Sequence, residues 1–197
     1  MSQQIVELKC GNCDAPATTA QVECNFCRQP IVISTFNSVY SMPMPMVNKY
    51  ASEYRKVLSE NPDNKAINTS IAMCYLKLKL YDKAGQAFEK AIEDNFDNSE
   101  TFFYAAICLL QGNKAFLAPR PTIDKIEEYI NAALMIEPKG IYYYLWSYIK
   151  YDYYSRKYFN TKPTYQEAHQ MALTNGVSNF DVEQLYGILG VERPTAL

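Results

Sequence analysis

The stretch Tyr81-Asp-Lys-Ala84-Gly-Gln-Ala-Phe88-Glu-Lys-Ala91 places apolar or small residues at intervals of three, four and three positions. This spacing keeps four side chains on one face of an α-helix. The same spacing recurs at Val47-Tyr50-Tyr54-Val57, Ile123-Ile126-Ile130-Ala133 and Tyr165-Ala168-Ala172-Asn175. The chain is therefore expected to contain one kind of amphipathic helix four times.

Each copy of the pattern is followed, five residues later, by a residue beyond the expected helix end. These residues are Pro62, Phe96, Pro138 and Phe180, and the steps between them are 34, 42 and 42 residues. Periods of this length are typical of helical repeat proteins, in which each repeat packs on its neighbours. The sequence thus predicts a mainly α-helical solenoid rather than a compact single-core enzyme fold.

The clearest repeat, which begins near Asn64, resembles a tetratricopeptide repeat. In that family, paired helices approach each other closely through small residues, and Ala72 and Ala84 stand at such positions here. Two positions depart from the family pattern, with Asn68 where Trp is common and Phe96 where Pro is usual. The resemblance implies pairs of packed helices and a surface that binds proteins or peptides.

Four cysteines near the N-terminus, Cys10, Cys13, Cys24 and Cys27, follow the pattern C-x2-C-x10-C-x2-C. Two residues between cysteines let both thiolates of a pair bind one ion, and two pairs complete the tetrahedral S4 site that zinc accepts. About 30 residues bury too little apolar surface to fold alone, so zinc is expected to supply about 10–16 kcal/mol. Four thiolates leave no open coordination position, which predicts a structural zinc ion.

This segment resembles the short rubredoxin-like zinc ribbons found at the N-termini of many bacterial proteins. Its flanks, Ile5-Val6-Glu7-Leu8, Gln21-Val22-Glu23 and Ile31-Val32-Ile33-Ser34, fit two β-hairpins. Such ribbons usually carry Gly directly after each cysteine pair because the turn needs a positive φ. Asp14 and Arg28 stand there instead, and Asp tolerates that conformation better than Arg.

The chain is predicted to consist of a zinc ribbon at residues 1–35, a Pro/Met linker at 36–46 and a tetratricopeptide-repeat-like domain at 47–197. The linker prediction rests on Ser41-Met-Pro-Met-Pro-Met46, because prolines fix φ and remove backbone donors, which favours an extended chain. Its three methionines either pack on the first helix or offer a docking site.

The third repeat is eight residues longer than an ordinary one, and the extra residues fall in the loop from Gly112 to Pro121. Long loops in repeat proteins often carry the binding function. The candidates in this loop are Lys114, Phe116 and Arg120, which together could grip an acidic or aromatic partner segment. Alternatively, Phe116 and its neighbour Leu117 are expected to tuck under the adjacent helix.

Residues Ile141 to Phe159 are the most aromatic stretch of a chain that contains 17 tyrosines. In a single helix these residues place aromatic rings on most sides, so the helix is either buried or presents rings to a ligand. We expect most of the tyrosines to be core residues and a minority to line a concave groove. The partner-binding candidates here are Tyr144, Tyr148, Tyr151, Arg156 and Lys157.

Helical repeats provide a binding surface, and a zinc site closed by four cysteines leaves no position for a substrate. The sequence therefore predicts a non-catalytic scaffold for one or more proteins or peptides. The single histidine, His169, has no nucleophile or carboxylate pattern around it. A cysteine–histidine pair would need Cys74 or Cys108, which the apolar periodicity places inside. The sequence contains no phosphate-binding loop, dinucleotide fingerprint or HExxH motif, so no enzymatic activity is predicted.

Nucleic-acid binding through the ribbon and the aromatic helix is the alternative. Residues 113–162 contain eight basic and five acidic side chains, and aromatic rings interleaved with cations can stack bases and hold phosphates. The formal net charge of −2 for the whole chain, and of −1 for residues 1–31, opposes this alternative.

The predicted location is the cytoplasm. Residues 1–9 lack the apolar core of a secretory signal, and the longest apolar run, Phe102 to Leu110, is shorter than the roughly 20 residues that span a bilayer. Cysteines in a chain without an export signal indicate metal ligands and buried thiols rather than disulfides.

Overall fold

A computed structural model describes residues 7–10, 13–18, 20–93 and 97–197 of the 197-residue chain. The chain divides into two compact units, Met1–Ala91 and Ile92–Leu197. Most described residues are helical, and a small β segment precedes the helices. The predicted mainly helical fold is therefore confirmed.

Within its described residues, the first unit contains two short strands and four helices. The strands β1 (Glu7–Lys9) and β2 (Pro16–Thr18) pair antiparallel. The helices are α1 (Phe36–Tyr40), α2 (Met44–Glu60), α3 (Lys65–Lys77) and α4 (Tyr81–Ile92), whose last residue lies at the boundary between the units. Helix α3 packs against both α1 and α2.

The second unit contains five α-helices within the described residues. They are α5 (Ser99–Cys108), α6 (Arg120–Ile136), α7 (Gly140–Ile149), α8 (Tyr165–Thr174) and α9 (Asn179–Leu189). A 3₁₀ turn (Ala115–Leu117) precedes α6, and α7 continues into a π turn (Lys150–Tyr154) and a 3₁₀ turn (Ser155–Lys157). Helix α5 packs on α6, and α7 packs extensively on α8.

The predicted second hairpin of the ribbon forms only in part. Glu23 and Pro30 form an isolated bridge, and the Ile31 amide donates to the Val22 carbonyl at 2.8 Å. Further along the chain, Ile33 bonds to a helix instead of to the hairpin. Its amide donates to the side chain of Ser70 in α3. In the first predicted hairpin, Ile5 and Val6 lie outside the described residues.

The prediction of an extended linker at 36–46 is wrong. Residues 36–40 form α1, and α2 begins at Met44. Pro43 is the N-cap of α2 and Pro45 lies in its first turn, where the missing N–H would have no partner within the helix. The two prolines therefore start a helix here instead of holding the chain extended.

The repeated helix pattern marks buried helix faces. Three of its copies lie on α2, α4 and α6, and all four pattern residues are buried in α4 and α6. The last copy is weaker, because only Ala168 and Ala172 are buried while Asn175 is exposed. Phe96, one of the residues that define the period, lies outside the described residues.

Two helix starts differ slightly from those expected. The sequence predicts Ser99 as the N-cap of α5, but the Asn98 side chain is the cap and accepts hydrogen bonds from Glu100 N at 3.1 Å and Thr101 N at 3.3 Å. Helix α6, predicted from about residue 122, begins at Arg120.

Within the parts of the chain that the structure describes, every helix is too short or too polar to cross a lipid bilayer.

Candidate functional site

The first cysteine pair lies in a tight backbone turn. The Asp14 amide donates to the Cys10 carbonyl at 3.0 Å, and the Cys10 amide donates to the Ala15 carbonyl at 2.9 Å. Asp14 has a φ of 54°, in the left-handed region where the resemblance to zinc ribbons places a glycine. The turn therefore has the expected conformation although it contains no glycine at this position.

The second cysteine pair repeats this geometry. The Arg28 amide donates to the Cys24 carbonyl at 3.0 Å, and the Cys24 amide donates to the Gln29 carbonyl at 2.8 Å. Arg28 has a φ of 63°, which costs about 1–2 kcal/mol for a residue with a Cβ. The Phe26 amide also points at the Cys24 sulfur at 3.4 Å, as a donor to a thiolate ligand would.

The four sulfur atoms of these turns converge. Cys10 Sγ lies 3.6 Å from Cys27 Sγ, Cys13 Sγ lies 3.6 Å from Cys24 Sγ, and all four lie within 4.8 Å of one another. Zn–S bonds of about 2.3 Å in a tetrahedron require sulfurs about 3.8 Å apart. The donor set and its spacing are thus compatible with a zinc ion, and the sequence identified all four members of the cluster.

The ribbon is joined to the helices of the first unit through tyrosine hydroxyls. Tyr50 donates to the Gln21 carbonyl, and Tyr54 donates to the Ile31 carbonyl at 2.5 Å. Burial raises the pKa of both phenols, that of Tyr54 well above its usual value, so both remain neutral donors. The pattern positions Tyr50 and Tyr54 of α2 therefore serve a second purpose, because they satisfy backbone groups of the ribbon.

A second connection joins the end of the ribbon to α3. Ser70 Oγ accepts from the Ile33 amide at 3.2 Å and lies 3.0 Å from the Ile33 carbonyl, to which it can donate. Ile31 and Ile33 are fully buried beside it. The sequence could not reveal this contact because Ser70 and Ile33 are 37 residues apart.

In the second unit, the aromatic helix α7 is mainly core. Tyr142, Tyr144 and Tyr148 are each 1% exposed. The Tyr142 hydroxyl lies 2.9 Å from Ser99 Oγ, Tyr144 donates to the Leu197 carbonyl at 3.4 Å, and Tyr148 accepts from the Ala115 amide at 3.3 Å. Tyr144 and Tyr148 were candidates for partner contact, but their burial makes them packing residues.

The expected single helix through Phe159 is interrupted by the π turn. A π turn holds more residues than an α-helical turn, so the side chains that follow it are rotated about the helix axis. Lys150, Asp152, Tyr153 and Tyr154 are all buried in it. The turn explains how two charged side chains come to lie inside a mainly aromatic segment.

The first of these charges, Lys150, belongs to a buried network around Glu127. Lys150 Nζ lies 2.7 Å from Glu127 Oε1, which also accepts from Trp146 Nε1 at 2.9 Å, and Tyr154 donates to Glu127 Oε2 at 2.5 Å. Burial by itself would raise the pKa of Glu127, but the hydrogen bonds from Lys150, Tyr154 and Trp146 outweigh it and lower the pKa. The sequence did not reveal this network, whose residues are 19 to 27 positions apart.

The second buried charge, Asp152, ties the long loop to the aromatic segment. It accepts from Arg156 Nη1 at 2.5 Å and from the Phe116 amide at 2.8 Å. The Arg156 guanidinium lies 4.5 Å from the centre of the Phe116 ring, and Lys157 Nζ lies 5.0 Å from it. Three predicted candidates, Phe116, Arg156 and Lys157, thus meet in one cluster of cations and an aromatic ring.

The remaining candidates lie in different surroundings. Lys114 is exposed and lines a cavity of about 280 Å³ whose other charged or aromatic lining residues are Tyr148, Tyr151, Asp152, Arg156, Glu192 and Arg193. Arg120 instead pairs with Asp124 of its own helix at 2.7 Å and lies over the Tyr154 ring. The structure therefore groups Lys114 with the aromatic cluster and does not place Arg120 in that cavity.

Comparisons with known proteins give the following matches. Residues 51–114 match the family model described as tetratricopeptide repeat. A solved structure titled MamA MSR-1 C2 is 17% identical, with 77% of this chain and 76% of that chain covered and a TM-score of 0.46. A point mutant of MamA is also 17% identical, with 77% of each chain covered and a TM-score of 0.45. No curated protein matches the chain.

The matched segment covers most of α2 and all of α3, α4 and α5. The match contains Ala72 and Ala84 and confirms the resemblance to tetratricopeptide repeats over this segment.

Proposed function

We propose that this protein is a non-catalytic scaffold that binds other proteins, with a zinc ribbon that stabilises its N-terminal part. The tetratricopeptide-repeat match over residues 51–114 carries this proposal, because such repeats generally serve as binding surfaces for proteins or peptides. The buried charges found in the second unit are paired within the chain, as expected for structural rather than catalytic groups.

The zinc ion would be held by Cys10, Cys13, Cys24 and Cys27, and its role would be structural. Four thiolates fill a tetrahedral site, so no position is left for a substrate or an activated water. Both backbone turns and the bonds from Tyr50 and Tyr54 would then be stabilised by metal binding. The thiol state of the six cysteines fits a reducing compartment, and we propose the cytoplasm.

We place one partner contact at the cavity beside the long loop, which Lys114 and Arg156 line. The Arg156 guanidinium also lies 4.5 Å from the centre of the Phe116 ring. Lys114 and Arg156 are both exposed, but Arg156 pairs with Asp152, whereas no ion pair within the described residues engages Lys114. A cation beside an aromatic ring suits a partner segment that carries both a carboxylate and an apolar side chain.

The test is affinity capture with the full zinc-loaded chain, with captured material analysed for protein and for nucleic acid. We expect a small set of stoichiometric proteins, reduced at least fivefold in the Lys114→Glu variant. Lys49→Glu makes the same charge change at an exposed site on α2 and should leave capture unchanged. Capture of nuclease-sensitive RNA or DNA without stoichiometric protein would contradict the scaffold proposal.

A further inference from the structure

Helix α3 of the first unit has two opposite faces, and only one of them is covered by the N-terminal segment. On the covered face, Ser70 bonds to Ile33, and Lys77 Nζ donates to the Tyr40 carbonyl at 2.6 Å. On the other face, Asn68, Ile71 and Tyr75 line a cavity of about 320 Å³ between α2, α3 and α4. The ribbon and α1 therefore contact the opposite face of α3 and do not cover this cavity.

The cavity is strongly basic at its rim. Its charged lining residues are Arg55 of α2 and Lys83 and Lys90 of α4, and among the residues that the structure describes no carboxylate lines it. None of the three cations forms an ion pair within the residues that the structure describes. Three unpaired positive charges around one cavity, in a chain with a net charge of −2, indicate a site for an anionic ligand.

The floor of the cavity is apolar and aromatic. Ile71 and Ala87 are buried there, and the partly exposed Tyr75 ring has Lys83 Nζ 6.0 Å from its centre. Burial raises the pKa of Tyr75, and the nearby charge of Arg55 partly offsets this increase. Tyr75 therefore lies near two of the cations and keeps its hydroxyl neutral.

The spacing of the cations indicates the shape of the ligand. Lys83 and Lys90 are seven residues apart on α4, which corresponds to about 10 Å along the helix. An extended peptide in the polyproline II conformation has three residues per turn and rises about 3.1 Å per residue, so its side chains at i and i+3 lie on the same side about 9 Å apart. A peptide that lies along α4 with acidic residues at positions i and i+3 can place one carboxylate near each lysine.

We propose that this cavity binds an extended acidic segment of a partner protein. Arg55, Lys83 and Lys90 would contact its carboxylates, and the floor at Ile71 and Ala87 would contact its apolar side chains. The inference rests on the proposed scaffold role, but it concerns a different site from the loop cavity beside Lys114. An apolar floor enclosed by three helices favours a peptide over a nucleic-acid backbone, which needs an open basic groove.

The test measures binding of a fluorescent peptide of eight residues with Glu at positions 3 and 6, using the full zinc-loaded chain. Arg55→Gln, Lys83→Gln and Lys90→Gln should each weaken binding about tenfold, since each removes a hydrogen bond to a charged group. Lys56→Gln is the matched control, because Lys56 adjoins Arg55 in sequence but pairs with Glu53 at 2.8 Å. Binding should also weaken as salt increases.

Equal binding of a peptide with Gln in place of Glu, or equal loss in the Lys56→Gln control, would overturn the inference. Preference for a single-stranded oligonucleotide over the acidic peptide would also overturn it. If the peptide fails to bind while affinity capture of proteins persists in the Arg55→Gln/Lys83→Gln/Lys90→Gln variant, the cavity assignment fails and the scaffold proposal stands. Loss of all protein capture by the unmodified chain would instead remove the scaffold proposal.

Discussion

The zinc ribbon and the aromatic segment at residues 140–157 stabilise buried polar groups in different ways. In the ribbon, the two turns satisfy their backbone groups locally, and four cysteine sulfurs converge at a spacing compatible with a zinc ion. In the aromatic segment, Lys150, Glu127 and Asp152 are neutralised by other side chains of the same unit. Under the proposed zinc role, the first region relies on an ion from solution, whereas the second relies on the packing of its own side chains.

This difference predicts different responses to mutation. Loss of one ligand removes the ion and with it the fold of the ribbon, because the remaining contacts are few. Loss of one buried charge leaves its partner unpaired inside an otherwise intact helical unit. The expected outcomes below are ordered by the size of the effect.

Cys24→Ala should have the largest effect. It removes a ligand whose site is worth on the order of 10 kcal/mol, so the ribbon should unfold and release its contacts with Tyr50 and Tyr54. We expect loss of bound zinc by elemental analysis and loss of hydrogen-exchange protection in residues 13–33, with the second unit unchanged. Cys74→Ala is the control, because it also removes a buried thiol but should retain one zinc per chain. A ribbon that stays protected without zinc would contradict the structural role.

Lys150→Met should destabilise the second unit by about 4 kcal/mol. It leaves the Glu127 carboxylate without its cation in a site where the Lys150 side chain is 7% and the Glu127 side chain 17% exposed. Chemical denaturation followed by tryptophan fluorescence would report the change, since Trp146 belongs to the network. Lys125→Met removes the exposed pair with Glu128 and should cost at most about 0.5 kcal/mol. Equal losses in both variants would show that burial of the network is not the cause.

Gly140→Ala should cost about 3 kcal/mol. A Cβ at this position would lie 2.5 Å from Val177 N and 2.8 Å from the carbonyl oxygens of Ala172 and Asn175, and these backbone atoms cannot move without separating α7 from α8. Gly176→Ala is the control, since a Cβ there meets open space and the cost comes only from its φ of 75°, about 1 kcal/mol. Thermal denaturation of both variants measures the difference. A smaller loss for Gly140→Ala than for Gly176→Ala would refute the close approach.

Tyr54→Phe should cost about 1–2 kcal/mol in the first unit. It removes the donor to the Ile31 carbonyl and leaves that buried acceptor without this bond. We expect faster hydrogen exchange in residues 20–33 while zinc remains bound. The matched variant Tyr40→Phe changes a half-buried tyrosine on α1 and should leave that exchange unaltered. Unchanged exchange in Tyr54→Phe would show that the hydroxyl does not attach the ribbon.

The smallest expected effect is the loss, at acidic pH, of the stability that the Glu127 carboxylate contributes. The pKa of Glu127 is lowered in the folded state, so its contribution to stability is complete above its unfolded pKa and is lost as the pH falls through the folded value. The difference in unfolding free energy between the wild type and Glu127→Gln should therefore shrink as the pH drops below about 4. Glu128→Gln, at an exposed neighbouring position, should show no such change. A difference that is constant with pH would indicate that Glu127 is not ionised in the folded protein.

The sequence predicted the helices well because their signals are local. The spacing of Tyr81, Ala84, Phe88 and Ala91 follows the helical period, and every one of these residues is buried in α4. The four cysteine ligands were equally recognisable, since the two turns depend only on nearby residues. The linker prediction failed because proline favours the start of a helix as readily as an extended chain, and only the packing of α1 and α2 decides between the two.

The candidate contact residues were predicted less well. Tyr144 and Tyr148 proved to be core residues, because both rings pack against Tyr186 of α9 and Tyr144 also packs against His169 of α8. The basic cavity formed by Arg55, Lys83 and Lys90 was not recognised, since these residues carry no motif and come together only when α2 and α4 pack around α3.

The sequence by itself therefore determined the repeated amphipathic helices and the two cysteine turns, because the helical period and the cysteine spacing act over at most a few turns of chain. Tertiary structure alone decided how Ser70 and Tyr54 hold the ribbon, how Lys150 meets Glu127, and why residue 140 is glycine. These features join positions 23 to 37 residues apart, or backbones that nearly touch. Such contacts depend on the packing of whole helices, which a local pattern of residues does not specify.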